Sequence, residues 1–85
     1  MRIRKSNYYI ETVESIWLSP YDPDTTEYGI YIWVDYLDGN TECVGEFIDT
    51  FGSFSEMEEY AVSLIDDAMK TGFFDLRNEN IYLIK

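Results

Sequence analysis

The middle of the chain alternates between hydrophobic and polar positions with a period of two, in two runs on either side of a turn. Side chains on a strand point alternately to its two faces, so residues 29–37 predict a strand with one apolar face. That face carries Ile30, Ile32, Val34 and Tyr36. The segment Asp38-Gly39-Asn40-Thr41 predicts a tight turn, and the second strand runs on to Phe51.

Pairing across this turn fixes which residues share a face. With Asp38 opposite Thr41, the apolar face pairs Ile32 with Phe47, Val34 with Gly45 and Tyr36 with Cys43. A turn centred on Asp38-Gly39 shifts the register by two residues and keeps the same facing sets. The opposite face then mixes large apolar residues with acids, namely Tyr31, Trp33, Val44, Ile48, Asp35, Glu42 and Glu46. Cys43, the chain's single cysteine, is predicted to be a small buried hydrophobe.

The flanking segments complete an α+β fold with the order β-β-β-α-β. Residues 1–7 predict a lead-in anchored by Ile3, and residues 8–19 predict an imperfect strand. A solvated loop with two prolines leads into the hairpin, so that residues 8–51 form a three-stranded antiparallel meander. One helix packs on one face of the meander, and a short strand at 80–84 ends a single domain spanning 1–85.

The helix is predicted over residues 54–71. Capping boxes are offered by Ser53 with Glu56 and by Ser55 with Glu58, because a hydroxyl and a carboxylate three residues apart satisfy the first free amides. Gly72 is suited to a left-handed stop. The buried stripe follows helical spacing through Met57, Ala61, Leu64 and Ala68, flanked by Tyr60 and Ile65.

Charge gives the strongest functional signal. Seventeen acidic and six basic residues give a net charge of −11. No lysine or arginine lies between Ser6 and Met69, whereas fifteen acids do. Such a chain repels nucleic acid and anionic membranes and attracts basic protein surfaces. The alternative is that the acidity only keeps a small, aromatic-rich protein soluble.

Catalytic and cofactor chemistry finds little support. The chain has no histidine and no glycine-rich phosphate loop, so common acid–base, nucleophilic and zinc arrangements lack a partner. The loop acids Asp22, Asp24 and Glu27 lack the central glycine and later glutamate of a calcium-binding loop. We expect no enzyme activity, cofactor or metal. No signal peptide or apolar span is visible, which predicts a cytoplasmic protein that does not enter a membrane.

The acidic face of the hairpin is the predicted interaction site. Aromatic anchors surrounded by acids are typical of protein interfaces. The predicted partner-binding residues are Asp22, Asp24, Glu27, Tyr31, Trp33, Asp35, Asp38, Glu42 and Glu46. Glu59 and Asp66 on the helix form a secondary acidic face.

The run of fifteen acids without a cation, on a small sheet with one helix, resembles small phage-encoded inhibitors of the anti-CRISPR kind. The resemblance covers residues 7–69 by charge and architecture. It implies that carboxylates take the places of phosphates on a basic, nucleic-acid-binding effector in the host cytoplasm. Two alternatives stay open: an immunity- or adaptor-type module with another protein partner, and a structural homo-oligomer, possible as a homodimer, whose acidity serves solubility.

Overall fold

One helix lies across one face of a four-stranded sheet. The structure is a computed structural model that describes residues 2–18, 26–76 and 79–83. The elements, in chain order, are β1 (Arg2–Lys5), β2 (Tyr8–Leu18), β3 (Thr26–Asp35), β4 (Thr41–Phe51), α1 (Phe54–Thr71), β5 (Phe73–Asp75) and β6 (Asn80–Tyr82). The predicted α+β class is confirmed. The strand count is four plus two, where three plus one was predicted.

The main sheet is an antiparallel meander in the order β1-β2-β3-β4. The predicted lead-in is wrong in part, because residues 2–5 form an edge strand that pairs with β2 through a two-residue turn. Ser6 occupies this turn with φ 59°, a left-handed conformation that usually signals glycine or asparagine. Ile3 lies opposite Ile10 and packs against the core, so it anchors this segment as predicted.

The core lies between α1 and the near face of the sheet, called the core face here. Ile10 on β2 lies opposite Ile32 on β3, with Ile30 two residues away on the same strand, and all three are fully buried. The helix meets them with its predicted stripe, in which Met57, Ala61, Leu64, Ile65 and Ala68 are buried. This matched pair of apolar surfaces is the main source of stability, since burial of apolar area drives folding.

The helix ends where its capping residues predict. Ser53 Oγ accepts a hydrogen bond from the Glu56 amide at 3.1 Å, and Glu56 Oε2 accepts one from the Gly52 amide at 3.1 Å. Of the two candidate boxes, Ser53 with Glu56 is therefore the one used. Gly72 has φ 90° and donates its amide to the Ala68 carbonyl, which closes the last turn.

The central hairpin turns earlier than predicted. The Gly39 amide donates to Tyr36 O at 3.0 Å and the Tyr36 amide to Asn40 O at 2.8 Å, so the loop is Leu37-Asp38-Gly39 with glycine at φ 90°. This three-residue loop, with a left-handed glycine in its last position, is a common alternative to the two-residue turn.

A bulge between Cys43 and Gly45 then changes which residues share a face. Trp33 pairs with Cys43 and Ile32 with Gly45, which leaves Val44 as the extra residue. The predicted faces of Cys43 and Val44 are therefore wrong: Cys43 lies opposite Trp33, and Val44 packs against the core. Glu42 pairs with buried Val34, so it too lies on the side opposite to the one predicted.

The last predicted strand is shorter and has a partner of its own. β6 pairs with β5 as a separate two-stranded sheet, with Phe74 opposite Ile81. Phe74 is fully buried and lies with its ring centroid 5.7 Å from that of Tyr8, so β5 closes over the core. Residue 84 lies outside the described residues.

Gly45 is the point where this small sheet approaches β4, which yields a stability prediction. A Cβ at residue 45 would overlap Ile81 Cδ1 and lie 3.5 Å from Leu76 Cδ1. We expect Gly45→Val to lower the free energy of unfolding by about 1–3 kcal/mol, because the added atoms overfill a packed contact. Denaturant unfolding measures this loss.

Ile81→Ala supplies the control. In the double variant, the space vacated at residue 81 receives the new side chain. The double variant should therefore lose less stability than the sum of the losses of the two single variants. Strict additivity would show that Gly45 and Ile81 are not in contact.

Candidate functional site

The sheet face turned away from α1, called the outer face here, gathers most of the predicted partner-binding residues. Strand registry sets its side chains in rows that run across the strands. One row is Arg4, Tyr9, Trp33 and Cys43; the next is Arg2, Glu11, Tyr31 and Glu46; the third is Val13, Gly29 and Ile48. Paired residues of neighbouring strands share a face, so each row is a line of contacts.

The first half of the outer face is covered by arginines of β1 and is called the arginine half. The guanidinium carbons of Arg4 and Arg2 lie 4.8 Å and 5.3 Å from the centre of the Tyr9 ring. Tyr9 in turn stacks on Trp33, with centroids 6.2 Å apart and planes 10° from parallel. Cations over aromatic faces are attracted by the ring quadrupole. The charge of β1 therefore lies on Tyr9, whose stacking neighbour Trp33 was predicted to bind a partner.

Ion pairs fix the same arginines. Arg2 Nη2 lies 3.0 Å from Glu11 Oε2, and Arg4 Nη2 lies 2.8 Å from Asp35 Oδ2. The Thr41 hydroxyl also donates to Asp35 Oδ1 at 2.7 Å. These bonds, Thr41 first and Arg4 second, lower the pKa of Asp35 from its usual value of 3.8. Asp35 and Trp33 are thus engaged within the chain.

The second half of the outer face has no such cover and is called the open half. Its apolar residues are Val13, 49% exposed, Ile48, 66% exposed, and half-buried Tyr31, whose ring lies over Gly29. A Cβ at residue 29 would lie 2.9 Å from Tyr31 Cε2, so glycine makes room for the ring. Glu46 is in line with Tyr31, and Glu27 pairs with Thr50 beside the patch.

The remaining predicted acids that the structure describes lie apart from this patch. Asp38 is in the hairpin loop and accepts hydrogen bonds from Asn40. Glu42 accepts a hydrogen bond from the Tyr36 hydroxyl at 2.8 Å, which raises the pKa of Tyr36. On the helix, Glu59 is exposed, whereas Asp66 lies 3.6 Å from Lys5 Nζ. Asp22 and Asp24 lie outside the described residues.

Two features of the outer face were not predicted from the sequence: the arginines of β1 that cover Tyr9, and the exposed side chain of Val13. The Arg-Ile-Arg alternation of residues 2–4 was the available signal, because a period of two sets both arginines on one face of a strand. Val13 lies on the outer face of β2, on the same side as Tyr9 and Glu11. Its partner across the strands is Gly29, which has no side chain to cover it.

Burial raises the pKa of the Cys43 thiol, which makes this cysteine a poor nucleophile.

The Thr41–Asp35 contact predicts a measurable pH effect. The pKa of Asp35 is lower in the folded chain than in the unfolded chain, so its contribution to stability is present above about pH 3.8 and is lost as the pH falls through the folded value. We expect Thr41→Val to raise this pKa toward 3.8, because the strongest hydrogen bond to the carboxylate is removed. Carbon-detected NMR titration of the carboxyl group measures it.

Thr50→Val, on the same strand and the same face, is the matched control and should leave the Asp35 titration unchanged. An unchanged pKa in Thr41→Val itself would mean that Arg4 alone sets the value.

The outer face presents carboxylates, aromatic rings and exposed apolar side chains. No three potential metal-ligating side chains lie together within residues 2–18, 26–76 and 79–83. In the same part of the chain, no helix combines the length and apolar character needed to cross a membrane. Comparison with family models, curated proteins and solved structures finds no match. The geometry and charge of the outer face are therefore the available evidence on function.

Proposed function

We propose that this chain is a non-catalytic binding protein that occupies a basic surface of a partner protein through the open half of its outer face. The partner we favour is a nucleic-acid-binding effector, whose basic channel the acidic chain blocks, as anti-CRISPR-like inhibitors do. The observation that carries the proposal is the exposed apolar patch of Val13, Tyr31 and Ile48 beside the carboxylates of Glu27 and Glu46.

This patch combines the two properties of a protein-binding surface. Val13 and Ile48, in the open half, are 49% and 66% exposed. Apolar residues in such a position provide binding energy when a partner excludes water from them. The nearby carboxylates steer a cationic partner and disfavour an acidic one.

The arginine half supports a basic partner by showing how this sheet receives guanidinium groups. Arg4 is held between the Asp35 carboxylate and the Tyr9 ring, at 2.8 Å and 4.8 Å. In the open half, Glu46 and Tyr31 are likewise a carboxylate and an aromatic ring side by side in one row. The one described cation of that row is Arg2, which lies at its other end and is paired with Glu11. An arginine or lysine from a partner fits the vacant pair.

The charge distribution favours a nucleic-acid-binding partner over a neutral one. Every ion pair in the described part of the chain draws its cation from β1, namely Arg2, Arg4 or Lys5. Glu27 and Glu46 of the open half form none of these ion pairs and keep their field, within a net charge of −11. A field of this sign attracts the lysine- and arginine-rich channels that bind phosphates.

An immunity- or adaptor-type module would use the same face on a partner without a nucleic-acid channel. Competition distinguishes it: an oligonucleotide that binds the partner displaces this chain only if the two share the channel. A homodimer through the outer face would bring the carboxylates of two chains together, so sedimentation at low salt should show dissociation rather than association.

Replacement of the central aromatic residue tests the proposal. The chain is used as bait in a nuclease-treated bacterial lysate at low salt and eluted with a salt gradient. For the recovered partner, Tyr31→Ala should weaken binding by about 2 kcal/mol or more, because an interface anchor and its apolar contact are lost. Titration calorimetry with the purified partner gives the affinity.

Tyr82→Ala is the matched control, since Tyr82 is 70% exposed on β6, away from the outer face. It should bind like the unmodified chain, and thermal unfolding shows whether either variant is destabilised. Equal affinity of Tyr31→Ala and the unmodified chain would refute the outer-face site.

A further inference from the structure

The edge of β4 offers a second contact, which shares Glu46 with the open half of the outer face. β4 pairs with β3 on one side only, and none of the described strands pairs with its other side. In an antiparallel edge strand, every second residue points its amide and carbonyl groups outward, unpaired. This edge is the length of β4, the eleven residues Thr41–Phe51.

A groove runs along this edge. It is lined by Cys43, Val44, Gly45 and Glu46 on β4 and by Glu79 at the start of the β5–β6 pair, with a volume of about 360 Å³. The small sheet lies beside this edge, because Ile81 contacts Gly45 next to the bulge at Val44. The β4 edge forms one wall of the groove and Glu79 forms the other. Both walls carry a carboxylate, and no described cation lines the groove.

We infer that the β4 edge binds an extended, lysine- or arginine-rich segment of the partner protein as an added antiparallel strand. The inference rests on the proposed function, because it takes the partner to be basic. Backbone hydrogen bonds would supply the pairing, and alternate basic side chains would meet Glu46 and Glu79.

The opposite edge of the same sheet provides the internal precedent. There β1, with the sequence Arg-Ile-Arg-Lys, pairs with β2 and sets its arginines on Glu11 and Asp35. A short basic strand is thus already accepted by the acidic sheet at one edge. The β4 edge has acids in comparable positions but no basic strand of its own among the described residues.

A second copy of this chain is a poor occupant of the same edge. An antiparallel pair of β4 strands centred on Glu46 would set the Glu46 carboxylates of the two chains opposite each other, and directly opposed like charges destabilise a strand pair. The acids thus act against self-association while favouring a cationic strand.

The test uses a synthetic peptide of eight residues that alternates lysine and valine, blocked at both ends. Its matched control is the same peptide with methyl groups on alternate backbone nitrogens, which removes hydrogen-bond donors but keeps the charge. We expect the methylated peptide to bind about tenfold more weakly or worse, because strand addition requires the backbone donors. Amide NMR signals of residues 42–47 should shift with the unmodified peptide.

Glu79→Lys on the intact chain should weaken peptide binding several-fold more than Glu58→Lys, an equal change of charge on exposed helix surface. Equal binding of the two peptides, or equal effects of the two reversals, would overturn the inference and show that charge alone attracts the peptide. Formation of a dimer on the β4 edge would overturn it as well.

The outcome is separable from that of the proposed function. Glu79 belongs to the groove and Tyr31 to the open half, and neither lies in the other site. If Tyr31→Ala abolishes partner binding while the peptide fails to pair, the outer-face function stands and the edge inference is wrong. If the peptide pairs while Tyr31→Ala has no effect, the edge binds and the outer-face site is wrong.

Discussion

A sheet has two faces, and this chain has one long helix with which to cover them. The helix α1 packs on the core face, where Ile10, Ile30 and Ile32 meet its apolar stripe and lose all contact with solvent. The outer face therefore has to be covered by other means. Arginines of β1 cover the half around Tyr9 and Trp33, and the half around Tyr31 and Ile48 is left to solvent or to a partner.

The distribution of cations follows from the same constraint. The three basic residues of β1 pair with Glu11, Asp35 and Asp66, so they reinforce the sheet and its contact with the helix. Exposed pairs of this kind each contribute little to stability, roughly 0–1 kcal/mol. Their greater effect is on the electrostatic surface, because they neutralise one part of the outer face and leave the acids of the other part unpaired. The resulting asymmetry is what gives the open half a preference for a basic partner.

The sequence predicted the elements with strong local signals. The helix and its caps were foreseen because Ser53, Glu56 and Gly72 each satisfy a specific backbone need, and the core strand was foreseen because its isoleucines alternate. The bulge at Val44 could not be foreseen, since it depends on how β4 fits against β3 and on the contact with Ile81, both of which are tertiary. That one extra residue moved Cys43, Val44 and Glu42 to other faces than predicted. Likewise, β1 was missed because its turn uses Ser6, without a glycine to mark it. Tyr31 and Glu46 kept their predicted face because their pairing lies on the far side of the bulge.

The most direct test of the open half is methyl NMR of the isotopically labelled chain titrated with the partner that it captures. Val13, Ile48 and Val62 are all exposed, the first two on the outer face and the third on the helix. The account predicts that the methyl signals of Val13 and Ile48 shift or broaden on binding while those of Val62 stay unchanged. Changes confined to Val62 would contradict it and would place the interface on the helix.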